Sequence, residues 1–178
     1  MNTPHLEHID TAFLQLSFAI KLWHFLGENP LDVERFDIPL TIEDEGWRVA
    51  LPADQFTPEA LQVATYNNVS ICFGTAAITL WEAIRERTGI RPGAMRPNNS
   101  TEENLAALIY MIRCCFAHGP ASPVWSIRDG KYRTTYQVGN TRIDLSDVAE
   151  GQRFDYRSIG GYETLWFLKD EARARGML

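Results

Sequence analysis

Cysteine is scarce in this chain and poorly spaced for chemistry. Three occur among 178 residues, Cys72, Cys114 and Cys115, and the adjacent pair lacks the two-residue gap of zinc and redox sites. A disulfide framework is therefore excluded as the basis of the fold, and a reduced, cytoplasmic protein is the simplest reading. An excess of positive charge is also missing. With 17 basic and 23 acidic side chains the formal charge is -6, which excludes nucleic-acid binding by broad electrostatic attraction and makes any such contact local. None of the four histidines belongs to the His-Glu-x-x-His pattern of zinc metalloproteases. His5 and His8 flank Glu7, and His24 follows Trp23; all three read as surface or boundary residues. Met1 to Thr11 lacks a basic run followed by an apolar stretch, so no signal peptide is expected. There is no internal repeat and no low-complexity tract.

What is present suits one ordinary globular domain spanning residues 1 to 178. Apolar residues make up 45% and charged residues 22%, with 12 Gly and 9 Pro. At this length folding buries roughly 70% of the unfolded surface, so a core alone can hold the chain together. Charge is unevenly spread: residues 1–60 hold 3 basic and 11 acidic side chains, a net of -8, and the other 118 hold 14 and 12, a net of +2.

Leu6, Ile9, Phe13, Leu16, Ile20 and Trp23 recur in steps of three and four and predict a helix from about His5 to Leu26, stopped by Gly27, Asn29 and Pro30. Ile38 to Ile42 and Trp47 to Leu51 are β-prone runs around Glu43, Asp44, Glu45 and Gly46, a hairpin insertion over about 36–51. Its acidic tip reads as a solvated turn, not a metal site. Thr57, Pro58 and Glu59 are an N-cap, a first-turn proline and a first-turn acid. They open a helix of about thirty residues that ends near Thr88 and Gly89. From Ala60 to Trp81 no side chain is charged, but Gln62, Asn67 and Asn68 would be costly in lipid, so no membrane span is assigned. Ser70, Gly74, Ala76 and Ala77 suit close helix packing instead. Ser100 and Glu103 form a capping box for a third helix reaching about His118, where Gly119 and Pro120 end it. A second hairpin over about 131–145 turns at Gly139-Asn140, and a last helix covers about Gly161 to Ala174. The expected fold is all-α, a four-helix up-and-down bundle with two small β-hairpin insertions.

The third helix carries the chemistry. Leu105, Leu108, Ile109, Ile112 and Phe116 form a core stripe, while Ala106, Ala107, Tyr110, Cys114 and Ala117 leave the other side small and weakly polar. A helix apolar almost all round needs cover on both sides, and a second copy of the chain is the simplest cover. Between Asn104 and Ala117 the only charged residue is Arg113, a cation that needs an anion or a good set of acceptors in such surroundings. His118 follows five residues later, about 140° round and about 7.5 Å along a regular helix. Bringing both groups to one phosphate requires local unwinding before Pro120 or pairing across a symmetric partner.

The spacing Arg113-Cys-Cys-Phe-Ala-His118, on a late helix of a small helical bundle and followed by Gly-Pro and Trp125, resembles the R-x4-H signature of the HEPN superfamily, the higher-eukaryote and prokaryote nucleotide-binding domains. The resemblance implies a homodimer through the helix 100–118 that cuts RNA without metal or other cofactor. His118 would be general base or acid at the ribose 2′-hydroxyl and Arg113 would stabilise the crowded phosphate. The products would be a 2′,3′-cyclic phosphate and a 5′-hydroxyl. Many such proteins resemble toxins of toxin–antitoxin pairs or host-defence components, which makes an antitoxin protein a candidate partner. The chain departs from the family at Cys114, where a polar residue is common, and a non-catalytic module binding nucleotide, RNA or protein is the alternative. In a purely structural role Arg113 would satisfy carbonyls of a neighbouring helix and His118 would cap its own. Arg128, Lys131, Arg133 and Arg142, with Trp125, Tyr132 and Tyr136, form a second candidate surface for single-stranded RNA.

Overall fold

The computed structural model describes residues 4–29 and 31–178, with the side chains of residues 4–7 and Asp44 outside the description. His5, Leu6, Glu7 and Pro30 of the sequence reading fall, wholly or in their side chains, outside the described residues. The protein is mainly helical: five helices pack together, with two small two-stranded antiparallel sheets.

Helix α1 spans Pro4–Glu28 and buries Ile9, Ala12, Phe13, Leu16 and Ala19, the three-and-four spacing that makes one face apolar. A single turn, α2 (Val33–Phe36), is capped by the Asp32 carboxylate, which accepts the Arg35 N–H at 3.3 Å. Strands β1 (Leu40–Asp44) and β2 (Trp47–Leu51) follow. Only Glu45 and Gly46 form their turn, with Gly46 at φ 87°, so this connection is tighter than the four-residue tip expected.

Helix α3 spans Pro58–Thr88; the Thr57 hydroxyl accepts the Ala60 N–H at 3.2 Å, and Gly89 closes the helix in the left-handed region. It runs antiparallel to α1: Trp23 meets Tyr66 at one end, and His8 and Thr11 line a groove with Thr79 and Glu82 at the other. Helix α4 spans Thr101–Phe116. Ser100 caps it by accepting the Glu103 N–H at 3.1 Å, but Glu103 accepts the Arg96 N–H at 2.8 Å, so only half of the expected capping box forms and the acid ties down the preceding loop instead. At Gly74, α3 lies hard against Phe116 of α4. A Cβ there would lie 2.7 Å from the Phe116 Cβ.

Beyond α4 the chain folds over it. Residues 123–126 pair with 151–154 through Trp125 N–H to Gln152 O (2.8 Å) and Phe154 N–H to Pro123 O (3.0 Å). Strands β3 (Thr135–Val138) and β4 (Thr141–Asp144) are shorter than the hairpin expected over 131–145, because Gly130–Tyr132 is a 3-10 turn. Helix α5 spans Thr164–Ala174 and starts three residues later than expected. Gly160 and Gly161 sit at φ 94° and 109°, a left-handed pair that no helix can include. Phe13 packs edge-on against Trp166, and Asp10 pairs with Arg173 and Lys169, which ties α5 to α1. No described helix is long and apolar enough to cross a membrane.

Candidate functional site

The second side of α4 is covered by the chain itself. Val124 donates to Cys115 O at 3.3 Å, the Asn104 side chain donates to Gln137 O at 2.7 Å, and Tyr110 lies between the rings of Trp81 and Tyr132. Leu105 to Ile109, Met111, Ile112, Cys115 and Phe116 are buried. From Asn104 to Ala117 only Tyr110, Arg113, Cys114 and Ala117 stay partly open, a strip along the last two turns. The sequence could not show this cover, because it comes from residues nine to more than thirty positions away, on both sides of the helix in the chain.

That strip is one wall of a cleft of about 210 Å³, lined by Tyr110, Arg113, Cys114, His118, Arg128 and Asp129 among others. Arg113 and His118 therefore share one cavity within a single chain. Helix α4 stops at Phe116, two residues short of the expected end, and the chain bends at Ala117 and His118. Ala117 keeps a helical backbone at φ -64° and ψ -25°, so His118 lies one turn beyond Cys114 and borders the same strip. The turn after it is pinned: Ser122 donates to Gly119 O at 2.9 Å, and the Ser70 hydroxyl of α3 donates to Pro120 O at 2.7 Å. Ser70, read from the sequence only as a packing residue, thus helps place His118.

Arg113 is half-buried and His118 exposed. The Arg113 Nε is fully buried and has no hydrogen-bond partner, and no acid lies within ion-pair distance of its guanidinium among the described residues. An unpaired buried donor on a cation is costly unless something outside the chain satisfies it. Arg128, from the loop after Trp125, adds a second guanidinium to the cleft. Asp129 is the acid present, and it is already engaged. Its carboxylate accepts the Lys131 N–H at 3.1 Å and pairs with the Lys131 ammonium at 3.4 Å, and the backbone donor above all holds its pKa below the usual range.

Burial pushes the Tyr110 phenol up to about 12, helped by its hydrogen bond with Cys114 and opposed by Arg113 and Arg128. At neutral pH it is a protonated hydroxyl beside two cations. Burial likewise raises the Cys115 thiol, which donates to Met111 O at 3.3 Å, so this cysteine is a packing residue. Tyr110, Ser126 and Asp129 were not read as site residues from sequence. Tyr110 lies three residues before Arg113 on one helix, a signal that was available; Ser126 and Asp129 arrive only through the path of the loop.

The second candidate surface is corrected by burial. Trp125, Tyr132 and Tyr136 are 1%, 4% and 0% exposed, so none can stack on a base. Lys131 donates to Pro92 O and Gly93 O, and Arg133 to Ile127 O, which leaves Arg128 as the member of that group in the cleft. Among the described residues no three His, Cys, Asp or Glu side chains gather in a way that could hold a metal ion. The chain matches no known family model, no curated protein and no solved structure.

Proposed function

We propose that the chain is a HEPN-like endoribonuclease that cuts RNA without metal, acting as a toxin or defence component. One observation carries the reading: a half-buried Arg113 whose Nε lacks any partner opens onto the same cleft as an exposed His118. Its fold would be a four-helix up-and-down bundle of α1, α3, α4 and α5, with two copies meeting at the open strip of Tyr110, Arg113, Cys114 and Ala117. His118 takes the proton of a ribose 2′-hydroxyl, the oxygen attacks the adjacent phosphorus, and the bond to the 5′-oxygen breaks as that oxygen takes a proton from solvent water, to which the imidazolium returns its own. Arg113 donates to the phosphate oxygens as charge builds on them. Arg128 adds positive potential at the mouth of the cleft.

Purified protein incubated with mixed RNA in excess chelator tests this. Cleavage leaving 2′,3′-cyclic phosphate ends is expected, lowered about 10²- to 10⁴-fold by His118→Ala and about 10²- to 10³-fold by Arg113→Ala. Intact RNA after incubation with folded wild-type protein would defeat the proposal. The Cys114 thiol, which lines the cleft beside Tyr110 where the family commonly has a polar residue, favours a second reading, a module that binds nucleotide, RNA or a protein partner without cutting. In that case RNA binding would weaken on Arg113→Ala while the strand stays whole.

A further inference from the structure

The cations of this acidic chain are concentrated in one stretch. Residues 87–133 hold seven basic and three acidic side chains, a net of +4, while the rest of the chain holds 10 and 20, a net of -10. All three acids of the stretch are engaged: Glu102 pairs with Arg175 at 3.9 Å, Glu103 accepts the Arg96 N–H at 2.8 Å, and Asp129 pairs with Lys131 at 3.4 Å. Arg91, Arg113 and Arg128 are left over. Among the described residues none of these three guanidiniums has an acid within ion-pair distance.

The fold sets the loop between α3 and α4 against one wall of the cleft. The Tyr132 hydroxyl donates to Pro92 O at 2.6 Å, and the Lys131 ammonium donates to Pro92 O at 3.3 Å and Gly93 O at 3.2 Å. Tyr132 and Asp129 both line the cleft. Arg96 is held at the same place by the Gly93, Ala94 and Met95 carbonyls, which accept from its guanidinium at 3.0 to 3.3 Å. Its charge reaches Asp129, whose pKa is lowered first by the Lys131 N–H and further by Lys131 and Arg96. Arg91, Arg96 and Arg128 are exposed. A line of cations thus leads from Arg113 inside the cleft, past Arg128, to Arg91 and Arg96 on the adjoining loop.

We infer that this line is a track for single-stranded RNA, which seats one phosphate in the cleft at Arg113 and neighbouring phosphates at Arg128 and Arg91. A local excess of positive charge attracts a polyanion that the rest of the chain repels, and so confines it to this face. The cleft holds about 210 Å³ and the Arg113 Nε is fully buried, so a strand must turn a phosphate inward to reach it. An unpaired strand can do so; a regular duplex cannot. Trp125 and Tyr132 are buried, which leaves contacts to the backbone and little preference for sequence. The track rests on the cleft taking a phosphodiester, as the proposed function requires, and not on the cut itself.

Fluorescence anisotropy with a 2′-O-methyl RNA of mixed sequence, about twelve nucleotides long, reads binding without cutting, because the attacking hydroxyl is blocked. Wild-type protein is expected to bind it with a slope of log affinity against log salt of about -2, for three phosphate contacts. Arg128→Ala and Arg91→Ala should each weaken binding about three- to tenfold and lessen the slope by about 0.7. Arg142→Ala, an exposed residue of β4, should change neither. Absence of binding at about 100 µM protein, an equal loss in Arg142→Ala, or a duplex held as tightly as the single strand overturns the track. Unmodified RNA separates the track from the nuclease. Strands that bind as expected and stay whole defeat the nuclease alone, whereas cleavage with KM unchanged in Arg128→Ala and Arg91→Ala defeats the track alone.

Discussion

The two hairpins have the same design on paper and opposite fates in the fold. Each alternates apolar and polar residues around a two-residue turn containing glycine, and each pairs β-branched or aromatic residues across its strands. In β3–β4, Tyr136 and Ile143 face each other at 0% and 3% exposure, and Val138 beside them is at 1%; in β1–β2, Ile42 and Val49 face each other at 44% and 39%. The first lies on α4, held by Asn104 to Gln137 O and by the Tyr136 hydroxyl to Tyr132 O at 2.9 Å. The second projects from the turn between α1 and α3. Alternation thus announces a face that wants cover, and says nothing of whether the chain or a partner covers it.

The contrast can be broken by substitution. Trp125→Ala empties a fully buried site against Phe154 and should cost about 3–5 kcal/mol in urea unfolding. Ile143→Thr should cost about 2–3 kcal/mol, since it removes apolar contacts and buries a hydroxyl. If it costs no more than the matched change in the other hairpin, the contrast fails. Gly74→Ala sets a methyl against Phe116 and should cost about 1–3 kcal/mol by overpacking α3 on α4. Ile42→Thr should change stability by less than about 0.5 kcal/mol.

High pH gives another way to sharpen the contrast. Tyr110, Tyr132 and Tyr162 are each pushed up to about 12, in every case by burial first. The unfolded chain releases these protons near pH 10 while the folded chain keeps them. Stability is therefore whole below pH 10 and falls as pH rises from 10 to 12, which urea midpoints across that range would register. The arm over 31–57 has no tyrosine, so the loss belongs to the body alone.

Much of the fold was legible because its signals are local. Thr57 with Pro58, Ser100, and Gly89 mark helix ends by hydrogen bonds made within a few residues. The start of α5 was misplaced since two consecutive left-handed glycines look from sequence like any glycine pair near a helix. The half-formed capping box was misread because Glu103 found a better donor in Arg96, seven residues away. At the candidate site, Arg113 and His118 were visible as a lonely cation and a helix-end imidazole. Their common cleft was not, because its other wall comes from residues 126–132.

By itself the sequence determined where α3 and α4 begin, which faces are apolar, and that Arg113 stands alone among uncharged neighbours, since all of these follow from short-range sterics and spacing. The tertiary structure alone decided that α4 is covered by its own chain, that the aromatic residues after it are core, and that a wall from residues 126–132 closes one cleft over Arg113 and His118. Those outcomes depend on which distant segments meet. That is set by burying the most apolar surface at once over the whole chain, a quantity no window of neighbouring residues contains.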